Sequence, residues 1–228
     1  KNNPFRLQMP LFLSLSLPND IDLYIWKIEE PSEFFEPILD LNDQESQWLA
    51  SIHPDKKLEF LASRYLMMQH LGPHSHIPIL KDEFGKLKFE DDKHYLSISH
   101  SGRFSAFVLG PVDLGIDIQL YNAKALHIGH RFLSATELRW LSNFHDMNEK
   151  IRMATLCWSV KEAIYKAYGN RGIHFSEMIR LRFDSTELVE GMLSLPHEKI
   201  NYQVKYGINE EFIWIVAFAV HSYNDLPI

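Results

Sequence analysis

The sequence predicts an α+β fold built from two similar α/β halves related by a pseudo-twofold. Three observations lead there. Segments that alternate apolar and polar residues, such as Leu23-Tyr24-Ile25-Trp26, and the apolar run Phe212 to Val220 read as strands. Asp55 to Leu71 and Lys150 to Tyr168 carry helical periodicity. A faint internal repeat then relates the two halves. Glu45-Ser46-Gln47-Trp48-Leu49 precedes the first helix, which carries Phe60-Leu61-Ala62-Ser63-Arg64 and ends near Gly72. Glu137-Leu138-Arg139-Trp140-Leu141 precedes the second, which carries Cys157-Trp158-Ser159-Val160-Lys161 and ends at Gly169. Setting Gly72 on Gly169 also sets Arg64 on Lys161, a constant offset of 97 residues. Each helix is followed later by an apolar strand, Phe104 to Leu109 in the first half and Phe212 to Val220 in the second. The expected division is 1–111 and 112–228, with a site in the cleft between the halves.

Composition sets the outer bounds. The 228 residues, 46% hydrophobic and 23% charged, can bury a sizeable core. No low-complexity stretch or long linker divides them; Gly72-Pro73 and Gly110-Pro111 mark turns. A net charge of -7 argues against nucleic acid or an anionic membrane as partner, so a phosphate site must be a local cluster of basic residues. The single cysteine, Cys157, rules out an internal disulfide framework and fits a cytoplasmic setting. Leu11 to Leu17 is too short to span a bilayer and reads as an early strand. A monomer is the default expectation.

On the second helix Met153, Leu156, Cys157, Val160, Ile164 and Ala167 form the core-facing stripe. Glu162 and Lys166, four residues apart, share roughly the opposite face, with Trp158 one turn earlier. Tryptophan has little reason to stand on a fully solvated face, which points to a cleft; an i,i+4 surface ion pair is the plainer reading of the same spacing. In Gly115-Ile116-Asp117-Ile118-Gln119, period two puts Asp117 and Gln119 on one face and the isoleucines on the other. An aspartate inside a strand needs a partner such as a cation, unless it caps a turn at the strand end. His70, His74 and His76 lack an evident fourth zinc ligand. Ser99-His100-Ser101 lacks the G-x-S-x-G elbow of a hydrolase.

Taken in order, Ser99-His100-Ser101-Gly102, Gly115-Ile116-Asp117-Ile118-Gln119, Phe132 to Glu137 and Trp158-Ser159-Val160-Lys161-Glu162-Ala163-Ile164-Tyr165-Lys166 resemble the four motifs of the 4′-phosphopantetheinyl transferase superfamily. The resemblance is to its longer, pseudo-dimeric type, which activates peptide, polyketide and fatty-acid synthases, and it covers about Lys56 to Gly172. It implies the superfamily's fold and transfer of the phosphopantetheine arm of coenzyme A to a serine of an apo acyl, peptidyl or polyketide carrier protein. By the same resemblance Asp117 and Glu162 ligate Mg2+, Glu162 helps deprotonate the carrier serine and Lys166 assists the leaving 3′,5′-ADP. Arg64 and Lys56 or Lys57 resemble the residues that hold the 3′-phosphate. Lys86 resembles the lysine beside the nucleotide, and Ser99 and His100 belong to the phosphate-contacting segment; Trp158, Lys161 and Glu137 resemble the packing and site-framing residues, with Lys161 also resembling a phosphate contact. For Lys56 and Lys57 the plainer reading is a solvated helix start. Two positions depart from the pattern. Gln119 stands where many members carry a second acidic ligand, so it binds metal weakly or through water, and Leu87 stands in place of proline. The alternative that Gln119 opens is a non-catalytic member that binds coenzyme A or the carrier.

Overall fold

The computed structural model describes residues 11–39, 41, 43–71, 79–90, 93–184 and 187–220. The expected turn at Gly72-Pro73, the histidines His74 and His76, and Gly72 as the anchor of the repeat lie outside them. The chain opens with β1 (Leu13–Leu17), β2 (Ile21–Lys27), α1 (Ser32–Phe35), α2 (Asp43–Ser51) and α3 (Pro54–His70). It continues through β3 (Ile79–Lys81), β4 (Leu87–Phe89), β5 (Tyr95–Ser101) and β6 (Phe104–Gly110). Next come β7 (Leu114–Leu120), α4 (Ala123–His127), α5 (Gly129–Phe132), α6 (Ala135–Leu141), α7 (Met147–Tyr168) and α8 (Phe175–Met178). The last strands are β8 (Ile179–Asp184), β9 (Glu187–Ser194), β10 (Lys199–Ile208) and β11 (Phe212–Val220).

The strands form two antiparallel sheets, ordered β1-β2-β6-β5-β4-β3 and β7-β11-β10-β9-β8. Apart from the extra edge strand β1, the second order repeats the first. In each half an opening strand leads through a long helix to four further strands, the last of which pairs with the opening one. The repeat seen in the sequence is thus a repeat of topology, and α3 and α7 hold equivalent places in it.

Period two in the strands assembles three cores in layers. Ile21, Leu23, Ile25, Ala106 and Val108 of the first sheet meet Ile116, Ile118, Trp214 and Val216 of the second. On the outer face of the first sheet Trp26, Phe107 and Leu109 pack with Leu61, Tyr65 and Leu66 of α3. On the outer face of the second, Ile213, Ile215 and Ala217 pack with Leu156, Val160 and Ile164 of α7. The order is helix, sheet, sheet, helix. This explains why β11 reads as an unbroken apolar run: both of its faces are covered.

Helix α7 sits between defined stops. Asp146 accepts the Glu149 amide at its start, and Gly169, at φ 81°, ends it in the left-handed conformation that glycine adopts without penalty. Its burial is wider than the predicted stripe, because Ala154, Thr155, Ser159, Lys161 and Ala163 are also buried. Gly115 explains how α7 approaches β7. A Cβ there would collide with the Ala163 carbonyl and the Ala167 amide, so only glycine lets the helix lie directly on the strand.

Candidate active site in the cleft between the halves

Strand β7 is the edge of its sheet, and its free amides are taken up by three serines of β5. The hydroxyls of Ser97, Ser99 and Ser101 accept from Ile116 N, Ile118 N and Leu120 N at 3.2, 3.2 and 3.1 Å. This ladder joins the two sheets and satisfies an edge that would otherwise be left exposed. It also carries Asp117 into the cleft. Ser99 donates to Asp117 Oδ1 at 3.1 Å and accepts from Lys166 Nζ at 2.9 Å. One donor and two lone pairs are all that a hydroxyl has, so Ser99 is committed to this joint rather than open to a coenzyme.

Asp117, Glu162 and Lys166 come together, Glu162 beside Lys166 as the helical spacing predicted and Asp117 beside both as the resemblance implied. Lys166 Nζ donates to Asp117 Oδ1 at 2.8 Å, Ser99 Oγ at 2.9 Å and Ile116 O at 3.0 Å, which uses all three ammonium hydrogens. Asp117 Oδ2 is buried and has no hydrogen-bond partner among the described residues. Burial raises the pKa of Glu162, the Asp117 carboxylate raises it further, and Lys166 opposes them. Two carboxylates that repel one another, one with an orphaned buried oxygen, are in electrostatic deficit. A divalent cation would relieve it. Among the described residues no group of three or more His, Cys, Asp or Glu side chains could hold a metal ion. A cation here would therefore draw on two carboxylates, with further ligands from neutral oxygens. Gln119 lies on the same strand face as Asp117 and lines a 310 Å³ cavity that also contains Trp158. Trp158 is packed edge-on to Phe132 at 5.0 Å and lies 5.8 Å from Phe175, so it is a wall of the cleft rather than a solvated side chain.

In the first half a larger cavity of 770 Å³ opens between α2, α3 and the sheet, lined among others by Trp48, Lys56, Phe60, Arg64, Ile98 and His100. Its volume falls within the ~300–1,000 Å³ of small-molecule sites. The Arg64 guanidinium lies 5.3 Å from the centre of the Phe60 ring. His100 Nδ1 is 3.2 Å from Glu59 Oε2, which also holds Lys56 Nζ at 2.6 Å. Burial lowers the pKa of His100; Glu59 opposes this, while Lys56 and Lys166 add to it. Gly85, Leu87 and Ile98 belong both to this cavity and to a smaller one of 220 Å³ that contains Lys86, Tyr165 and Lys166. The basic first half thereby adjoins the acidic pair.

Three residues stand elsewhere than expected. Lys57 pairs with Glu36 at 2.6 Å and is not part of either cavity wall. Lys86 Nζ binds Asp113 Oδ1 at 2.8 Å and the Ala167 carbonyl, so it caps the C-terminal end of α7 as it faces the smaller cavity. Lys161 fills the packing place that the resemblance gave it beside Glu137, and corrects the expectation of a phosphate contact. It is fully buried, pairs with Glu137 at 2.8 Å and donates to Phe175 O and Ile179 O at 2.9 and 2.7 Å. With no exposed surface and no spare hydrogen it has no access to a phosphate. Glu137 completes this hub by accepting from Ser134 N at 2.7 Å and Leu181 N at 2.9 Å. The sequence reading missed Glu59, Asp113 and the serines at 97 and 101. Only the serines left a signal, their period of two beside His100.

Fold and site together define a two-halved α+β protein with Asp117, Glu162 and Lys166 gathered beside a cavity edged by Lys56, Arg64 and His100. Residues 113–218 match the model of the 4′-phosphopantetheinyl transferase superfamily. The chain is 25% identical over 163 residues to the 4′-phosphopantetheinyl transferase gsp of Aneurinibacillus migulanus, which covers 69% of this chain and 65% of that one. It is 31% identical over 151 residues to a 4′-phosphopantetheinyl transferase of Bacillus subtilis, 63% of each chain. It is 31% identical over 137 residues to 4′-phosphopantetheinyl transferase Sfp of Bacillus subtilis strain 168, 58% of this chain and 60% of that one. The second half of the chain thus matches that superfamily's model and the chain is similar to Sfp-type proteins, with matches that span under two thirds of each relative's length.

Proposed function

We propose that the chain transfers the 4′-phosphopantetheine group of coenzyme A to a serine of an apo acyl, peptidyl or polyketide carrier protein, releasing 3′,5′-ADP. The observation that carries this reading is the buried, unpartnered oxygen of Asp117 beside Glu162 and Lys166. The curated relatives named as 4′-phosphopantetheinyl transferases support it. Asp117 and Glu162, with Gln119 or a water as a weaker ligand, would hold Mg2+. Bound there, the ion would supply neutralisation for the coenzyme A pyrophosphate.

In the transfer, the carrier serine oxygen bonds to the phosphorus next to the pantetheine arm, and the bond from that phosphorus to the bridging oxygen breaks. Glu162 takes the serine proton, directly or through water; its raised pKa suits a base working near neutrality. The departing ADP oxygen gains the negative charge, which Lys166 stabilises. Lys166 must release at least one of its three present contacts to do so. The cavity with Lys56, Arg64 and His100 accommodates the 3′-phosphoadenosine end, Arg64 offering a forked donor to phosphate. Lys86 borders the path between that cavity and the acidic pair.

The working unit is a cytoplasmic monomer, divided at 111/112, that uses neither nucleic acid nor a membrane. Among the described residues no helix is long and apolar enough to cross a membrane. One observation favours a second reading: Gln119 in place of an acid fits a coenzyme A- or carrier-binding protein without transferase activity. Incubation with coenzyme A, Mg2+ and fatty-acid, polyketide and peptide apo carriers, followed by weighing each carrier, separates the two. A carrier heavier by one phosphopantetheine group is the expected result. Coenzyme A or carrier binding with every carrier unmodified would favour the second reading, and absence of binding to both coenzyme A and carrier would end both.

A further inference from the structure

Among the described residues the two sheets have four edge strands, and three of them are closed to a second chain. Strand β7 is satisfied by the serines of β5. Strand β3 is only three residues long. Strand β8 exposes Arg180, Arg182 and Asp184 and shifts register between Arg182 and Phe183. Shortness, charge and irregularity are the usual protections of an edge. Strand β1 has none of them. Leu11 to Pro18 carry no charge in a chain of net charge -7. All five residues of β1 pair with β2 without a shift, and the turn behind them is firm: Asn19 and Asp20 take φ of 64° and 54°, which asparagine and aspartate tolerate better than most residues. Ser14, Leu15 and Ser16 are nevertheless exposed, Leu15 to 36%, with Phe12 beside them at 48%.

An open edge accepts many strands, and the sequence of β1 selects one. Leu13-Ser14-Leu15-Ser16-Leu17 reads the same in both directions. Antiparallel pairing about a twofold axis at Leu15 sets Leu13 opposite Leu17 of the second copy, Ser14 opposite Ser16 of the second copy, and the two Leu15 side chains opposite each other. Opposed residues share a face. Leu13, Leu15 and Leu17 are aligned with Ile25, Leu23 and Ile21 of β2, which fill the core between the sheets. The apolar row from Leu23 to Leu15 would therefore run on across the axis without a break. On the other face serines meet serines, with the Ser16 hydroxyl already donating to Asp22 at 2.8 Å. The same register brings Phe12, whose ring lies edge-on to Phe104 and Phe212 at 5.6 and 5.4 Å, opposite Pro18 of the second copy. The residues ahead of β1 are a poorer candidate to cover it. Met9-Pro10-Leu11-Phe12 contains none of the Gly, Asn or Asp that a tight hairpin turn takes.

We propose that β1 is a self-association edge, through which two copies of the chain pair antiparallel about Leu15 and join their six-stranded sheets into one. Strands β2 and β6 separate β1 from β5, so each copy keeps its own cleft and the working unit stays the single chain. A five-residue strand pair buries less than the ~1,200–2,000 Å² of a standard interface, and the dimer is correspondingly weak, with a Kd on the order of 10 µM.

Sedimentation velocity over about 1–100 µM should show the full chain passing from monomer to dimer. Leu15→Lys opposes two like charges at the axis and should weaken the dimer by more than about tenfold. Leu15→Cys tests the register. Opposed residues stand ~4.5–5.5 Å apart between Cα atoms, within the ~4.4–6.8 Å that a disulfide spans. The native Cys157 is fully buried and does not compete. With a mild oxidant Leu15→Cys should run as a covalent dimer. Leu17→Cys should not, because its two copies stand four residues apart along the strands, about 13 Å. If Leu15→Lys misfolds, the two cysteine variants decide. A full chain that stays monomeric at about 100 µM would overturn the proposal, as would a dimer unaffected by Leu15→Lys or equal cross-linking of the two cysteine variants. So would a monomer that dimerises only after residues 1–10 are removed, which would make the chain's own first segment the occupant of the edge.

Discussion

The two halves share a strand order and differ in what lies between helix and sheet. Beneath α3 the first half leaves a 770 Å³ cavity edged by Lys56, Arg64 and His100. Beneath α7 the second half is filled. Gly115 lets the helix lie on β7, Lys161 and Glu137 close a fully buried ion pair, and Trp140 stacks on Phe183 at 3.8 Å. Arg64 and Lys161 are counterparts in the repeat, yet one lines a cavity and the other is sealed in the interior. One scaffold thus serves two purposes. In the proposed reading a looser helix–sheet contact makes room for a ligand, and a tight one fixes Glu162 and Lys166 to within the small tolerance that group transfer requires.

The largest effect that sharpens this contrast should come from the tight half. Glu162→Gln or Lys166→Met should slow carrier modification by about 10²–10⁴ at saturating Mg2+, the usual cost of losing a positioned acid or base. Glu162 is half-buried, so Glu162→Gln should barely move the urea midpoint, whereas Lys166→Met leaves the buried Asp117 carboxylate without its cation and should lower it. Near-normal turnover in either variant would remove its assigned role.

The counterparts should then fail in opposite ways. Lys161→Met leaves Glu137 buried without its cation, and a loss of about 3–5 kcal/mol is expected in urea unfolding. Arg64→Ala should leave stability almost unchanged and weaken coenzyme A by about ten- to a hundredfold, the range for a hydrogen bond to a charged group. Dephospho-coenzyme A should bind the native protein with the same defect. A destabilised Arg64→Ala, or equal binding of the two coenzymes, would break the comparison.

The smallest effect concerns pH. Burial holds the folded pKa of His100 below its usual value of about 6.5. Below that pH the unfolded chain takes a proton that the folded one resists, so His100's contribution to stability is present above it and declines as the solution becomes more acidic. A phosphate bound nearby favours the imidazolium and raises the pKa again. Coenzyme A affinity should therefore rise as the pH falls toward and below the usual imidazole value of about 6.5. His100→Gln should flatten the trend; an unchanged slope in that variant would place the phosphates elsewhere.

Much of this was legible in the residues, and what was not has physical causes. Phe212–Val220 and Phe104–Gly110 could be read because a strand covered on both faces must be apolar throughout. Helices α3 and α7 were read to within three residues at each end, since their periodicity is set by the sheet they cover. Strand β10 was not, because Lys199, Gln203 and Lys205 on its exposed face dilute the apolar pattern. Period four on a helix paired Glu162 with Lys166 and period two on a strand paired Asp117 with Gln119, while only the resemblance in motif order brought Asp117 to Glu162. Lys161 misled because burial of a lysine depends on a partner 24 positions away, Glu137, which no local pattern announces. The serine ladder shows as alternation in Ser97, Ser99 and Ser101. That these hydroxyls bind the edge of the other sheet follows only from the way the two sheets meet.

The division of labour between the halves is tested most directly by the coupling between metal and coenzyme. Coenzyme A should be titrated calorimetrically into wild type, Glu162→Gln and Arg64→Ala, each with and without Mg2+. Linkage requires that Mg2+ strengthen coenzyme A binding by the same factor as coenzyme A strengthens Mg2+ binding. The account predicts a clear Mg2+ enhancement in wild type and a similar one in Arg64→Ala superimposed on weaker binding. In Glu162→Gln it predicts no enhancement, with coenzyme A still bound through the first half. Full enhancement in Glu162→Gln, or its loss in Arg64→Ala, would contradict the assignment of metal to one half and nucleotide to the other.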